Sequence, residues 1–125
     1  MKLLGLGTQI VECVKVARML DEYQDRFLSH VFTSNEIKRC RERTYPVEAF
    51  AAVWACKEAV YRALGTRWRK GMNWTDVEIR HGPTGDTAEL HGHARRLATE
   101  RAVTSLFISS SHTRKYATAT VVACG

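Results

Sequence analysis

Two charged residues stand side by side in an otherwise apolar stretch: Lys57 and Glu58 within "FAAVWACKEAVYRALG", residues 50–65. A carboxylate can ligate a hard metal ion, and an ammonium beside it can meet a phosphate or pass a proton. At 100° per residue Phe50, Val53, Trp54, Val60, Tyr61 and Leu64 share one helix face. Ala52, Ala55, Cys56, Ala59 and Ala63 form the opposite face, small enough for another backbone to approach closely. Such a helix is buried on most sides. Lys57 falls on its bulky stripe and Glu58 at the edge. Burying either charge is costly unless it is paired or bound to a metal. On helix geometry alone the plainer reading is favoured, in which both heads snorkel to solvent or pair with basic neighbours. The sharper one makes Glu58 a metal ligand and Lys57 a phosphate or proton-transfer partner.

A second stretch carries chemistry at the other end of the chain. "ISSSHTRKYATATVVA" places Ser109, Ser111, His112 and Thr113 at a strand end, with Arg114 and Lys115 beside them. Hydroxyls, an imidazole and backbone amides at a turn can cradle an oxyanion or a phosphate. Alone this is a weak signal, because serine-rich strand ends are common and a lone histidine is usually structural.

The elements that must position these residues follow from pattern. "LLGLGTQIV" opens as a strand, with Gly5 and Gly7 permitting close backbone approach. Residues 12–30 read as helix in one or two pieces. "FTSNE" has a capping-box pattern, in which Thr33 or Ser34 starts a helix and Glu36 reaches back. That helix shows Lys38, Arg39, Arg41 and Arg43 as a basic face. Pro46 suits the first turn of the next helix and Gly65 its stop. Strands are expected at "DVEIR" (76–80), "TAELHG" (87–92), "SLFISSS" (105–111) and "YATATVVAC" (116–124). Helical "HARRLATERA" lies between the second and third, and "HTRK" joins the last two as a hairpin. Helices packed on a small, mainly antiparallel sheet define an α+β fold.

The 125 residues suit a single domain spanning 1–125. No apolar run is long enough for a membrane span, and "MKLLGLGTQIVE" lacks a signal-peptide core and cleavage site. Cys13, Cys40, Cys56 and Cys124 are scattered with no C-x-x-C pair, as in a reduced cytoplasmic protein. The net charge is +6, residues 102–125 contain no acid, and "RWRK" at 67–70 is a local basic cluster. Such a balance favours anionic partners. No helix-turn-helix, zinc-finger or aromatic RNA-binding signature is present, so nucleic-acid binding ranks last.

Taken together, these stretches resemble the holo-acyl-carrier-protein synthases, the short bacterial class of 4′-phosphopantetheinyl transferases. The likeness runs in order through "GLGTQIVE", "DRFLSHVFTSNE", "FAAVWACKEAVYRALGT", "WTDVEI", "ELHGHA" and "SSSHTRKYATATVV". The K-E-A-x-x-x-A-L-G-T core and the S-x-S-H-T-x-x-Y-A-x-A ending are specific as a pair. The resemblance implies transfer of the phosphopantetheine arm of coenzyme A to a serine of apo acyl carrier protein, with release of 3′,5′-ADP. It implies a Mg²⁺ ion held by Glu58 and by the residue at position 9. It places Lys57, Arg62 and Gly65 near the pyrophosphate, and Ser109, Ser111, His112 and Thr113 against the nucleotide. It further implies homotrimers with sites between protomers, in the cytoplasm, serving fatty acid biosynthesis or a related pathway. An acidic carrier protein would dock on Lys15, Arg18, Arg26 and Arg39.

Three departures qualify that expectation. The family's first-strand aspartate is Gln9 here, which offers a carbonyl oxygen without charge. Glu12 lies three residues on and faces the other way in a regular strand. The glycine after "ALGT" is Arg67, and "TGD" at 84–86 replaces G-x-P. They raise an alternative, a degenerate paralogue that binds coenzyme A or a carrier protein and transfers poorly.

Overall fold

The computed structural model describes residues 1–67 and 71–125, so most of the basic cluster at 67–70 lies outside the described residues. Strand β1 (Leu3–Glu12) leads into four helices: α1 (Cys13–Tyr23), α2 (Asp25–Val31), α3 (Ser34–Arg41) and α4 (Pro46–Ala63). A single 3-10 turn, Trp74–Asp76, precedes the hairpin of β2 (Val77–Gly82) and β3 (Gly85–Leu90). Helix α5 (Gly92–Glu100) and the hairpin of β4 (Ser105–His112) and β5 (Tyr116–Cys124) complete the chain. The strands form one antiparallel sheet in the order β1-β5-β4-β3-β2, the expected α+β arrangement.

Helix α4 is the axis of the molecule. Pro46 fits its first turn, where a missing N–H costs nothing. Gly65 ends it at φ 85°, a left-handed conformation that glycine adopts freely. The small face of α4 lies on the sheet. A methyl group at Gly7 would stand 1.9 Å from the carbonyl oxygen of Ala59, and one at Gly5 would stand 2.0 Å from that of Ala63. On β5 the matching floor is Ala117, Ala119, Val121 and Ala123, all buried. The bulky face meets α2, the chain after it and the 3-10 turn through aromatic edges. Phe27 lies 5.3 Å from Trp54, Phe32 4.9 Å from Phe50, and Trp74 6.1 Å from Trp54. Small residues set the sheet contact and large ones fill the helical layer, so α4 is enclosed on nearly all sides.

Helix α3 starts on Thr33 with the full capping box: the Thr33 hydroxyl accepts from Glu36 N, and Glu36 Oε1 accepts from Thr33 N at 2.8 Å. The expected strand at 87–92 stops at Leu90. His91 N instead donates to Asp76 O, and Gly92 takes φ 50° beside the Asp76 carboxylate, which turns the chain into α5. One face of the sheet carries no helix. Register puts Leu6, Thr8 and Ile10 of β1, Thr118, Thr120 and Val122 of β5, and Phe107, Ser109 and Ser111 of β4 there together. Leu6, Ile10 and Phe107 are more than half exposed on it. Among the described residues no helix is long and apolar enough to cross a membrane.

Candidate active site

The adjacent charges of α4 leave the helix in different directions. Lys57 is fully enclosed, at 0% exposure. Its Nζ lies 2.7 Å from Glu36 Oε1 and donates to Val77 O at 2.5 Å and Trp74 O at 3.2 Å. All three ammonium donors are therefore met. Glu36 is equally buried, and its other oxygen accepts from Ile79 N at 2.7 Å. Burial pushes the Lys57 pKa below its ordinary value, and the Glu36 carboxylate opposes that shift. The expectation that Lys57 serves a pyrophosphate is corrected here. Its partner is a carboxylate supplied by the α3 capping box, and its head has no route to a ligand. Nor does a metal explain why the charge is tolerated.

Glu58 faces the other way, into a cavity lined by Gln9, Val11, Glu12, Lys15, Trp54 and Tyr116. Gln9 Nε2 donates to Glu58 Oε2, and Gln9 Oε1 accepts from Ile10 N at 3.2 Å. The seam of Gly5 and Gly7 against Ala59 and Ala63 sets β1 directly on α4, which brings residue 9 to residue 58. Desolvation raises the Glu58 pKa, while Arg62, one turn along the helix, and Lys15 act to lower it. Lys15 also stands over the Trp54 ring, 5.3 Å from its centre. The Trp54 indole N–H is buried with no acceptor among the described residues. Glu12 alternates to the other strand face as expected, yet at the sheet's edge it still lines the rim of this cavity. At the seam itself a divalent cation would thus meet one carboxylate and one amide, with Glu12 at the rim. No group of three or more His, Cys, Asp or Glu gathers among the described residues. The set suits Mg²⁺ only as part of a shell completed by outside oxygens.

Gly65 lies two turns further on, with the Arg101 guanidinium packed where its side chain would be: a methyl there would stand 1.8 Å from Nη1. Arg101 was invisible to sequence reasoning, since nothing in "LATERA" links it to "ALGT".

The serine–histidine strand end builds a second, separate cavity. Strand alternation sends Ser110 and His112 toward α4, and Ser109 and Ser111 to the open sheet face with Thr118 and Thr120. His112 Nδ1 lies 2.9 Å from Glu48 Oε1, and Ser110 Oγ donates to Asp86 Oδ2 at 3.2 Å. His81 Nδ1 also pairs with Asp86. Thr113 is the turn residue, its hydroxyl accepting from Lys115 N and Tyr116 N. Of the four residues named from sequence, Ser109 and Ser111 therefore lie on one face, His112 on the other and Thr113 in the turn. Glu48 and Glu58 are ten residues apart on α4, about 15 Å at 1.5 Å per residue, so one chain does not bring His112 to Glu58.

Arg39 belongs to this second cavity, with Arg43, His81, Asp86, Ser110 and His112. The capping box turns Glu36 inward, residues three and four further on follow it, and Arg43 reaches the same cavity from just beyond the helix end. The basic face of α3 is accordingly split: Arg39 and Arg43 line the cavity, while Lys38 and Arg41 line an outer groove. Arg39 Nε and Nη2 are buried and meet no acceptor among the described residues. Its expected place beside Lys15, Arg18 and Arg26 is corrected on that ground. Those three are exposed on α1 and α2, with Arg26 5.9 Å from the Tyr23 ring at the edge of an apolar groove that includes Met19, Phe27 and Trp54.

Sequence and fold together place the chain in a known class. The chain belongs to the 4′-phosphopantetheinyl transferase superfamily, whose sequence pattern covers residues 5–121, and it is an enzyme of that transferase class. Within the class it is 40% identical over 125 residues to the holo-[acyl-carrier-protein] synthase of Rhodopirellula baltica, covering 99% of both chains. It is 39% identical to that of Koribacter versatilis, covering 96% of this chain and 97% of the relative. The fold superposes on the holo-[acyl-carrier-protein] synthase of Neisseria meningitidis with a TM-score of 0.86 at 26% identity, covering 98% and 99% of the two chains. The Bacillus anthracis enzyme, solved in complex with coenzyme A (3′,5′-ADP), gives a TM-score of 0.78 at 25% identity, covering 98% and 97%.

Proposed function

We propose that this chain moves 4′-phosphopantetheine from coenzyme A to a serine of an apo acyl carrier protein and releases 3′,5′-ADP, with Mg²⁺ at Glu58. The observation that carries the proposal is the Gln9–Glu58 cavity with Lys15 and Arg62 beside it. The carrier's seryl oxygen attacks the phosphorus that bears the pantetheine arm, and the bridging P–O bond of the diphosphate breaks. The hydroxyl proton leaves to solvent or base, and 3′,5′-ADP departs with the bridging oxygen on its 5′-phosphate. Little covalent work is left to the protein beyond positioning and charge. Arg62 and the Gly65 turn receive the diphosphate. Lys15, Arg18 and Arg26 take the acidic carrier. Glu58, with Gln9 and phosphate oxygens, would hold Mg²⁺, which offsets charge on the leaving group when bound.

The nucleotide end is assigned to the cavity of Arg39, Arg43 and His112, where Arg39 Nε and Nη2 meet no acceptor among the described residues and suit an anion. Because that cavity stands about 15 Å along α4 from Glu58, a ligand using both belongs between copies. The uncovered sheet face supplies a surface on which copies assemble, and a homotrimer is the expected form. Light scattering that gives a monomer mass at micromolar concentration overturns the shared site. The four cysteines are all buried free thiols, which suits the cytoplasm. A non-transferring paralogue gains no support from relatives matched from end to end.

The test is intact-mass measurement of a panel of apo carrier proteins after incubation with the protein, coenzyme A and Mg²⁺. Gain of one phosphopantetheine on at least one carrier is expected. No gain on any carrier, with no binding of coenzyme A by calorimetry, overturns the proposal.

A further inference from the structure

We infer that Gln9 makes cation binding at Glu58 conditional on a bound diphosphate, so that the ligand-free protein has no working divalent-cation site. The inference rests on the transferase reading of this cavity and adds an order of binding to it.

The Gln9 amide is held at both ends. Its oxygen accepts from Ile10 N and its nitrogen donates to Glu58. An amide that faces a carboxylate must present N–H, because two acceptors repel. In this arrangement one of the two Glu58 oxygens is already taken, and the group nearest to it is a donor. A cation that enters must break that bond and turn the amide over, and Ile10 N then loses its acceptor. Strand β1 cannot shift to ease the exchange, because Gly7 is pressed against the Ala59 carbonyl.

Charge points the same way. Lys15 and Arg62 both act on Glu58, and with Glu12 the one other acid, at the cavity rim, these two positive groups oppose a divalent ion at Glu58 and attract an anion. Mg²⁺ gives up its water reluctantly and is ordinarily held by one or two carboxylates together with substrate phosphates. Here the carboxylate at the amide, Glu58, is already hydrogen-bonded, and the other, Glu12, stands at the rim from the opposite strand face. A diphosphate near Lys15 and Arg62 reverses the local sign and brings the missing oxygens. Cation and diphosphate therefore enter together, or the diphosphate enters first.

The probe is Mn²⁺, read by electron paramagnetic resonance as the loss of free ion, with intact protein and no carrier present. Parent, Gln9→Asp and Gln9→Ala are titrated with Mn²⁺ alone and with Mn²⁺ plus coenzyme A. Circular dichroism and melting are used to verify that the variants fold. Parent protein is expected to bind no Mn²⁺ alone in the millimolar range and to bind it once coenzyme A is present, beyond what coenzyme A alone retains. Gln9→Asp should tighten Mn²⁺ binding in the absence of coenzyme A by roughly ten- to a hundredfold, the worth of one charged ligand. Gln9→Ala frees Glu58 without adding charge and should gain threefold or less. The inference is overturned if ligand-free parent binds Mn²⁺ as tightly as Gln9→Asp, or if coenzyme A leaves Mn²⁺ binding unchanged while itself binding. If coenzyme A binds none of the three proteins, the transferase reading falls instead, and the comparison of parent with Gln9→Asp in Mn²⁺ alone still decides whether Gln9 blocks the site.

Discussion

Lys57 and Glu58 are neighbours in the chain and opposites in use. Lys57 is sealed in a dry ion pair with Glu36, every donor met and no path to water. Glu58 is half-buried beside a cavity, bonded to one amide and within the field of two cations. The 100° step of the helix separates them: one reaches α3 and β2, the other β1 and the cavity. The lesson concerns what counts as a functional charge. A buried charge with a complete set of partners belongs to the architecture. An ionic group with spare capacity that faces open volume is the one free to meet a ligand.

The largest expected effect breaks the sealed side. Lys57→Met leaves Glu36 buried without its cation and should cost about 3–5 kcal/mol by denaturant titration. The double variant Glu36→Gln/Lys57→Met should recover at least half of that loss. If it recovers none, the cost lies in packing and the pair is not what holds α3 to β2.

Glu58→Gln should do the reverse. It is expected to lower transfer by about a hundredfold or more, near 3 kcal/mol in barrier, with the melting temperature little changed. Equal turnover by the variant at limiting Mg²⁺ would remove Glu58 from the metal site. Gly7→Ala probes the seam that brings the two residues of the open side together. Its methyl would lie 1.9 Å from a main-chain oxygen, so β1 must move away, at about 1–3 kcal/mol in stability. Carrier modification should fall with it, while the Lys57–Glu36 pair stays intact. Wild-type activity in a destabilised Gly7→Ala protein would show that the spacing of β1 and α4 does not set the site.

Thr33→Val gives the smallest effect, about 1 kcal/mol from the lost cap of α3. The Thr33 hydroxyl also donates to Glu78 Oε2 at 2.5 Å and is the main cause holding the Glu78 carboxyl below its ordinary value, with Arg80 adding to it. A depressed carboxyl stabilises the fold above its unfolded pKa, and that contribution is lost as pH falls through the folded one. The deficit of Thr33→Val should therefore be widest at neutral pH and narrow below the ordinary carboxylate range. A deficit that is flat with pH would separate Thr33 from Glu78.

Much of this was legible in the chain because it is local. The capping box, Pro46, Gly65 and the hairpin at "HTRK" are written in residues a few positions apart, and the elements form where they indicate. Gly5 and Gly7 pointed to close approach, and the small face of α4 pointed to its partner. The partner of Lys57 was not legible, because Glu36 was already explained as a cap and its second task depends on how α3 lies across α4. Arg39 was misplaced for the same reason: a run of basic residues looks like one solvated face until the helix's inward side is known. The division of Ser109 and Ser111 from Ser110 and His112 required only the strand's period of two.

The seam between β1 and α4 has a consequence beyond the site. Where side chains form a contact, rotamers can repack, and a substitution elsewhere spreads through them. Gly5 and Gly7 meet Ala59 and Ala63 through main-chain atoms, which have no alternative rotamers to adopt. The separation of Gln9 and Glu58 is thus inherited from two backbones in hard contact. Changes at Phe32 or Phe50, aromatic residues that do not line the Glu58 cavity, can loosen the helices without altering that gauge. The distance between Gln9 and Glu58 is therefore set by main chain and not by the choice of core side chains.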